Sequence, residues 1–266
     1  MTRHLAACLV TLALFATPAL AQTAPEEQPP GTGPASTPAS AGDAEAGVPT
    51  WGSLVTDLGG DFKNLASLET AVVVGVGGSV SWGVHHQDVT LTQRASGSQT
   101  LDTVFESGAV LGGGLPQIGG AFATYAFGRA THHPEVAVLG ADLFRAQMVN
   151  TVLTQSIKLV ADRPRPDGGR FSFPSGHTSG TFATAAVLQR HYGWKVGVPA
   201  YGFASWVAGS RLQGNKHFLS DVVFGAALGI VSGRAVTVGK GQATFAVTPI
   251  ATHGGGGIGF TLLGAQ

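Results

Sequence analysis

Lys158-Leu-Val-Ala-Asp-Arg-Pro-Arg-Pro166, then Pro174-Ser-Gly-His177, then Ser210-Arg-Leu-Gln-Gly-Asn-Lys-His217-Phe-Leu-Ser-Asp221: these three pieces, within 64 consecutive residues, organise the rest of the chain. Each stands at a helix end. Pro134 opens an apolar helical run, and proline is favoured at the first helical position. Arg163-Pro164-Arg165-Pro166 stops that run, because proline lacks an N–H and pushes the residue before it out of helical backbone. The sequence therefore predicts a helix over about 134–161. Further helices are predicted over about 177–192, 196–213 and 217–237, so the fold class is mainly α.

The residue types point to an anion. Eight Lys/Arg and three Asp/Glu give residues 158–221 a net charge of +5, against −5 for the remainder of a chain that carries 15 of each sign. That balance argues against nucleic acid as a partner and for a local anion site. Lys158 and Arg165 lie seven residues apart, two helical turns, with Pro164 throwing Arg165 into a loop. An ammonium point charge and a planar guanidinium fork can converge there. Taken alone, a solvated basic patch explains them equally well. Ser175-Gly176-His177 precedes an Ala/Thr-rich helix, whose first N–H groups are unpaired and whose dipole favours an anion. Gly176 lets backbone approach a ligand closely, and the Ser175 hydroxyl adds a donor. The plain alternative is an ordinary serine N-cap. His217 and Asp221 share a helical face at i,i+4. The carboxylate can accept from Nδ1–H and leave Nε2 with a free lone pair, which makes His217 a nucleophile candidate. Alone, this pair too reads as a surface contact. Arg211 stands just before it, with Gly214-Asn215 as the turn between.

Together, in this order and spacing, the pieces are hard to obtain by chance. The pattern Lys-x6-Arg-Pro, Pro-Ser-Gly-His, Ser-Arg-x5-His-x3-Asp resembles that of the type 2 phosphatidic acid phosphatase superfamily, which includes bacterial class A acid phosphatases, membrane lipid phosphatases and vanadium haloperoxidases. Lys158, Arg165, Pro166, Pro174, Ser175, Gly176, His177, Ser210, Arg211, His217 and Asp221 all stand where the pattern has them. The resemblance implies a helical bundle and a mechanism. His217 attacks phosphorus in line and forms a phosphohistidine, with Asp221 orienting it. His177 protonates the leaving oxygen and then activates water. Lys158, Arg165, Arg211, the Ser175 hydroxyl and the Gly176 amide hold the phosphoryl oxygens. No metal or other cofactor is implied, because arginine and lysine supply the charge. The expected activity is a metal-independent phosphomonoesterase acting on a phosphorylated small molecule or a lipid phosphate. The alternatives are a vanadate-dependent haloperoxidase and a membrane-associated lipid phosphate or diphosphate phosphatase. A phosphate-binding protein with a dead site is disfavoured by intact His177, His217 and Asp221.

The N-terminus reads as a targeting segment. Residues 1–21 have a basic start at Arg3, an apolar run from Leu5 to Phe15 and Ala19-Leu20-Ala21 as a small-x-small cleavage site. Cleavage there removes Cys8, the single cysteine, so the mature chain has no disulfide chemistry. Residues 22–49, rich in Pro, Ala, Gly, Thr, Ser and Glu, bury too little apolar surface to offset roughly 1–2 kcal/mol per residue of backbone ordering. They read as a disordered linker to a phosphatase domain over 50–266. In that domain 52–65 reads as one amphipathic helix. Apolar stretches follow at 69–84 and 103–129, with a polar loop at Arg94-Ala-Ser-Gly-Ser between them. A β-hairpin is predicted over 242–264, around Gly254 to Gly257.

A membrane location is weighed on span length. Ser107 to Gly128, the longest helical stretch free of charges, is broken by seven glycines and Pro116, and the 134–161 helix carries Asp142 and Arg145. With a cleaved signal, these spans favour a soluble periplasmic or secreted domain, with membrane association as the alternative. The adjacent pairs His85-His86 and His132-His133 diverge on any regular element and have no Cys or Glu at ligand spacing, so no metal site is expected. Trp51, Trp82, Trp194 and Trp206 read as core or rim.

Overall fold

The computed structural model describes residues 48–96, 104–105, 107–238, 244–252 and 255–263. The signal peptide over 1–21 and nearly all of the linker over 22–49 lie outside the described residues. The described helices belong to one compact unit, Ala39–Gln266. They are α1 (Ser53–Thr56), α2 (Leu58–Asn64), α3 (Leu68–His85), α4 (Asp88–Ser96), α5 (Gly108–Leu111), α6 (Gly114–Ala130), α7 (Pro134–Ala161), α8 (Gly176–Tyr192), α9 (Trp194–Gln213) and α10 (Leu219–Val236). The unit is mainly helical, as the sequence predicts.

The helix expected over 134–161 is α7, with Pro134 at its start and Asp162 in left-handed backbone (φ 36°) past its end, where the Pro164 and Pro166 run begins. Two expectations are corrected. The single helix over 52–65 is two short ones meeting at Asp57, whose carboxylate is held by Arg145 at 3.0 Å. Leu58, Phe62 and Leu65 still pack on the core, as their spacing predicts. The polar loop at Arg94 is instead helical as far as Ser96, because Asp88 at its first turn is buried and bonded to the start of α10. Thr244–Thr252 and Gly255–Leu263 pair as an antiparallel two-stranded ladder, with no third strand among the described residues. Such a ladder is marginal alone, so the fold is carried by the helices.

The core forms around α8, which packs on α7, α9 and α10. Apart from Arg190 in its last turn, its buried side chains are small: Thr178, Ser179, Thr181, Ala183, Ala185, Ala186 and Val187. Facing them, α10 presents Gly225, Gly229 and Gly233, one per turn. A Cβ at Gly225 would lie 2.8 Å from the Ser175 carbonyl oxygen, one at Gly233 2.6 Å from that of Ala183, and one at Gly229 would overlap that of Ser179. The two backbones therefore touch, as small-x3-small stripes allow. A second cluster of Leu139, Leu143, Ala146 and Val149 from α7 with Val187 and Val236 closes the end away from Lys158.

Among the described residues, two helices are long and apolar enough to cross a membrane by length and composition, Pro134–Ala161 and Leu219–Val236. The bent pair Ser53–Asn64 with Leu68–His85 would make a third if it is one span. The Ser107 to Gly128 stretch is not one helix, since it breaks at Gly112 and Gly113 between α5 and α6.

Gly229→Ala is expected to force α8 and α10 apart and to cost about 2–3 kcal/mol by overpacking, a fall in Tm of roughly 5–10 °C. Gly83→Ala in α3, where a Cβ meets nothing within 4 Å, is expected to leave Tm unchanged or raise it. Thermal unfolding of both variants in the same detergent or buffer checks this.

Candidate active site

The three sequence pieces meet where α7 ends and α8 and α10 begin. Lys158, in the last turn of α7, donates from Nζ to the Phe171 carbonyl oxygen at 2.6 Å, leaving two donors unspent. Beyond α7 the chain folds into a tight turn: the Arg165 N–H donates to Gly169 O at 2.8 Å, and Gly168 takes φ +86°. Lys216 ties this turn to the loop before α10 by donating to Asp167 Oδ2 at 2.7 Å. The Lys216 and His217 N–H groups both donate to the Arg211 carbonyl, at 3.0 and 3.3 Å, with Asn215 in left-handed backbone (φ 53°). The Ser175 N–H donates to the Asp221 carbonyl at 3.0 Å, which stitches the start of α8 to the start of α10.

A cavity of about 300 Å³ opens there, and Lys158, Arg165, Gly176, His177 and His217 all line it. Five of the eight expected site residues are thus brought together. Arg211 does not line the cavity, but it is buried beside it and its charge acts on both His177 and His217. Asp221 and Ser175 stand behind the wall, both fully buried. Ser175 does not cap α8 with its side chain; its oxygen accepts from the Thr178 hydroxyl at 3.0 Å.

Asp221 is engaged differently from the expectation. Its Oδ2 lies 3.7 Å from His217 Nδ1, ion-pair reach and longer than a hydrogen bond. The carboxylate instead accepts from Ser172 Oγ at 2.5 Å, from the Phe218 N–H at 2.8 Å and from Arg163 at 2.6 Å. A buried carboxylate costs several kcal/mol unless compensated, and these partners compensate it. His217 Nδ1 is buried without a hydrogen-bond partner.

Arg163, Ser172 and Asp88 were not among the expected site residues. Arg163 forks between Asp221 and Asp88 (2.8 Å) and also donates to Ser220 Oγ at 2.8 Å. Asp88 accepts from the Ser220 N–H at 2.9 Å. The signal for Arg163 was present in Arg163-Pro164-Arg165, but the spacing rule assigned the function to Arg165. Asp88, 75 residues away in sequence, carried no signal. Among the described residues no group of three or more His, Cys, Asp or Glu could hold a metal ion.

Burial first, then the charge of Arg211 and the neighbouring His217, pushes the His177 imidazole down to about 4; a hydrogen bond to the Ala109 backbone works the other way. Burial also lowers His217, opposed by Asp221. Both rings are therefore neutral near pH 7 while the cations are uncompensated.

Residues 167–244 match the family model of the PAP2 superfamily. Over those residues the chain is similar to the PAP2 superfamily. The chain is 44% identical over 75 residues to a lipid A 1-phosphatase of Porphyromonas gingivalis and 37% identical over 83 residues to a probable diacylglycerol pyrophosphate phosphatase 1 of Schizosaccharomyces pombe. These matches cover 27% and 26% of this chain, and only 17% and 29% of the two relatives' lengths. Among solved structures, the crystal structure of Aquifex aeolicus LpxE aligns at TM-score 0.48 and 26% identity, over 56% of this chain and 93% of that one. A transmembrane PAP2 type phosphatidylglycerolphosphate phosphatase from Bacillus subtilis aligns at TM-score 0.48 and 24% identity, over 64% and 92%. The family match ends at residue 244, so it lends no support to the expected C-terminal hairpin.

A bound dianion offsets the cations and is expected to raise the His177 pKa by roughly 1–3 units. By linkage, sulfate, whose own charge is constant over this range, should bind more tightly as pH falls from 7 towards 5. Histidine NMR titration with and without sulfate reads both effects; a His177 titration that sulfate does not move counts against the arrangement.

Proposed function

We propose that this chain is a metal-independent phosphatase that hydrolyses lipid phosphates through a phosphohistidine, working in a membrane. The observation that carries the chemistry is one cavity lined by Lys158, Arg165, His177 and His217, with Arg211 and Asp221 beside it. His217 Nε2 attacks phosphorus, and the bond to the leaving oxygen breaks as that oxygen takes a proton from His177. His177, now neutral, takes a proton from water, whose oxygen attacks the phosphohistidine and frees phosphate and His217. The lowered His217 pKa keeps its lone pair available, and the pull of the bound phosphate on His177 supplies the acid. Lys158, Arg165 and Arg211 stabilise the charge on the equatorial oxygens.

Surface composition supports the membrane. On α3, Leu68, Val72, Val76 and Val80 form an exposed stripe at every fourth residue, and Leu115, Phe127, Leu159 and Val160 are exposed on α6 and α7. Helices apolar all round belong in a core or a bilayer, and so much apolar surface is unusual in water. Trp82 lies near the site end, and Tyr192 and Trp194 at the far end of α8, which at 17 residues is about 25 Å long. Exposed tryptophan and tyrosine at both ends suit the two interfaces of a bilayer. This favours the alternative weighed in the sequence over a soluble periplasmic domain. The signal peptide and export of the chain stay part of the proposal.

Two expectations test this. His217→Ala should abolish turnover and any burst on every ester. His177→Ala should lose roughly 10²–10⁴-fold on an alkyl phosphate and much less in the first step on an aryl phosphate, whose leaving group needs no proton. It should then stall as an acid-labile phosphohistidine. Rapid-quench kinetics decides: a burst from the His217 variant, or equal losses on both esters in the His177 variant, refutes the roles. Wild-type turnover should survive EDTA. In fractionated cells the chain should stay with membranes after a high-salt or carbonate wash and leave with detergent; release by the wash alone would return it to the soluble reading.

A further inference from the structure

Two charged residues beside the site take no part in the chemistry above. Asp88 begins α4 and is buried, and Arg163 stands two residues past the end of α7. A buried charge is costly unless it is paired, and here the pairing forms a chain that ends on Asp221. Arg163 Nη1 donates to Asp221 Oδ1 at 2.6 Å, and Nη2 donates to Asp88 Oδ2 at 2.8 Å. The guanidinium lies 4.3 Å from the Phe218 ring, on the residue between His217 and α10. Asp88 in turn accepts from the Ser220 N–H at 2.9 Å and from the Ser220 hydroxyl at 2.5 Å.

This chain settles how α10 begins. Phe218 stands at the cap position, and a phenyl ring offers no acceptor to the first N–H groups of a helix. Asp88 supplies one acceptor from 132 residues away, and Asp221 supplies another by accepting from the Phe218 N–H at 2.8 Å. The loop before α8 is fixed to the same arginine. The Arg163 carbonyl accepts from the Ser172 N–H at 2.8 Å, while the Ser172 hydroxyl donates to Asp221 Oδ2 at 2.5 Å. His217 is buried between these anchors, with Nδ1 3.7 Å from that same Oδ2. One oxygen of Asp221 thus faces Arg163 and the other faces the nucleophile. A neutral oxygen at position 88 would cap α10 as well. A carboxylate does more, because it shares the guanidinium and so draws part of its charge away from Asp221.

We propose that Asp88 and Arg163 are positioning residues for the nucleophile, which act through Asp221 to set the direction of the His217 ring and the strength with which it is held. Arg163 anchors the carboxylate, and Asp88 decides how much of the carboxylate's charge is left for His217. The proposal deepens the phosphatase reading and rests on it.

The test reads the sign of the charge. The groups acting on His217 are Asp221, Lys158, Arg211 and the neighbouring His177, and all are kept, as is His85 at 3.1 Å from Asp88. Attack needs a neutral His217, so the acid limb of kcat/KM against pH follows its protonation. Asp88→Asn leaves Arg163 to Asp221 alone, which disfavours the imidazolium and should move the limb to lower pH. Arg163→Gln releases Asp221 towards His217 and should move it to higher pH, each by about 0.5–1 unit. The double variant should fall back near wild type. Ionisation of the aryl phosphate used as substrate is common to all four proteins and drops out of the comparison. On the plateau, Arg163→Gln should lose about tenfold or more in kcat with KM within about threefold, since Lys158, Arg165 and Arg211 still hold the phosphate. Arg163→Lys restores the charge without the fork, and should return the limb but not the whole of kcat. A purely structural role lowers Tm and kcat and leaves the limbs in place. Limbs that do not move, or that move the same way in both single variants, overturn the proposal; if one single variant does not fold, the direction of the other's limb still decides. A wild type that hydrolyses no aryl phosphate defeats the phosphatase reading itself, and this proposal with it.

Discussion

Backbone contact between α8 and α10 is the constraint on which the site depends. Gly225, Gly229 and Gly233 let the two helices approach until carbonyl oxygens of one meet α-carbons of the other. Both helices start at the site, so their crossing fixes how the Ser175-Gly176-His177 turn lies against the His217 to Asp221 turn. The hydrogen bond from the Ser175 N–H to the Asp221 carbonyl is the local expression of that closeness. Side chains at these positions would meet the α8 backbone and force the two helices apart. The small residues of α8 are thus part of the geometry of catalysis on the proposed reading, even though none of Ser179, Ala183 or Ala186 touches the cavity.

The second constraint is electrostatic. Three cations gathered around one cavity repel each other, and burial, with their charge added to it, lowers the pKa of the two imidazoles among them. Asp221 is a buried carboxylate placed to offset them, yet its oxygens are largely spent on Arg163, Ser172 and the Phe218 N–H. Its influence on His217 therefore passes across 3.7 Å by charge more than by a hydrogen bond. The empty cavity is left electropositive, and a phosphate supplies what the protein withholds. On the proposed reading, binding of the dianion and activation of His177 as an acid are then the same event.

The helices and most of the site were legible because they rest on local rules. Proline stops α7 where the sequence says it should, whereas the shared helical face expected of His217 and Asp221 does not form, because His217 precedes α10 and meets Asp221 from the loop, at 3.7 Å. Residues that depend on long-range contact were not legible. Asp88 carried no signal in the sequence, yet it reaches across 132 residues to the α10 start. Arg163 was read as punctuation beside Arg165, because nothing in the sequence says which of two neighbouring arginines faces the cavity. The orientation of Ser175 was open for the same reason: a hydroxyl before a helix can cap it, bind a ligand or serve a neighbour, and here it accepts from Thr178.

The weighing of membrane against water turned on counting charges one at a time. Asp142 and Arg145 interrupt α7 in the sequence, but in the fold they pair at 3.0 Å, with His191 at 2.8 Å on Asp142 and Asp57 at 3.0 Å on Arg145. A compensated cluster facing inward costs a membrane helix far less than a lone charge facing lipid. The same helix then turns from apolar at Leu139 and Leu143 to polar at Gln147, Asn150 and Thr154 before it ends on Lys158. Polarity within an apolar helix has to face something that rewards it, and here it faces a cavity whose rim is hydrocarbon-like. A wall of that character suits a substrate that is itself polar at one end and apolar at the other, as the proposed lipid phosphate is.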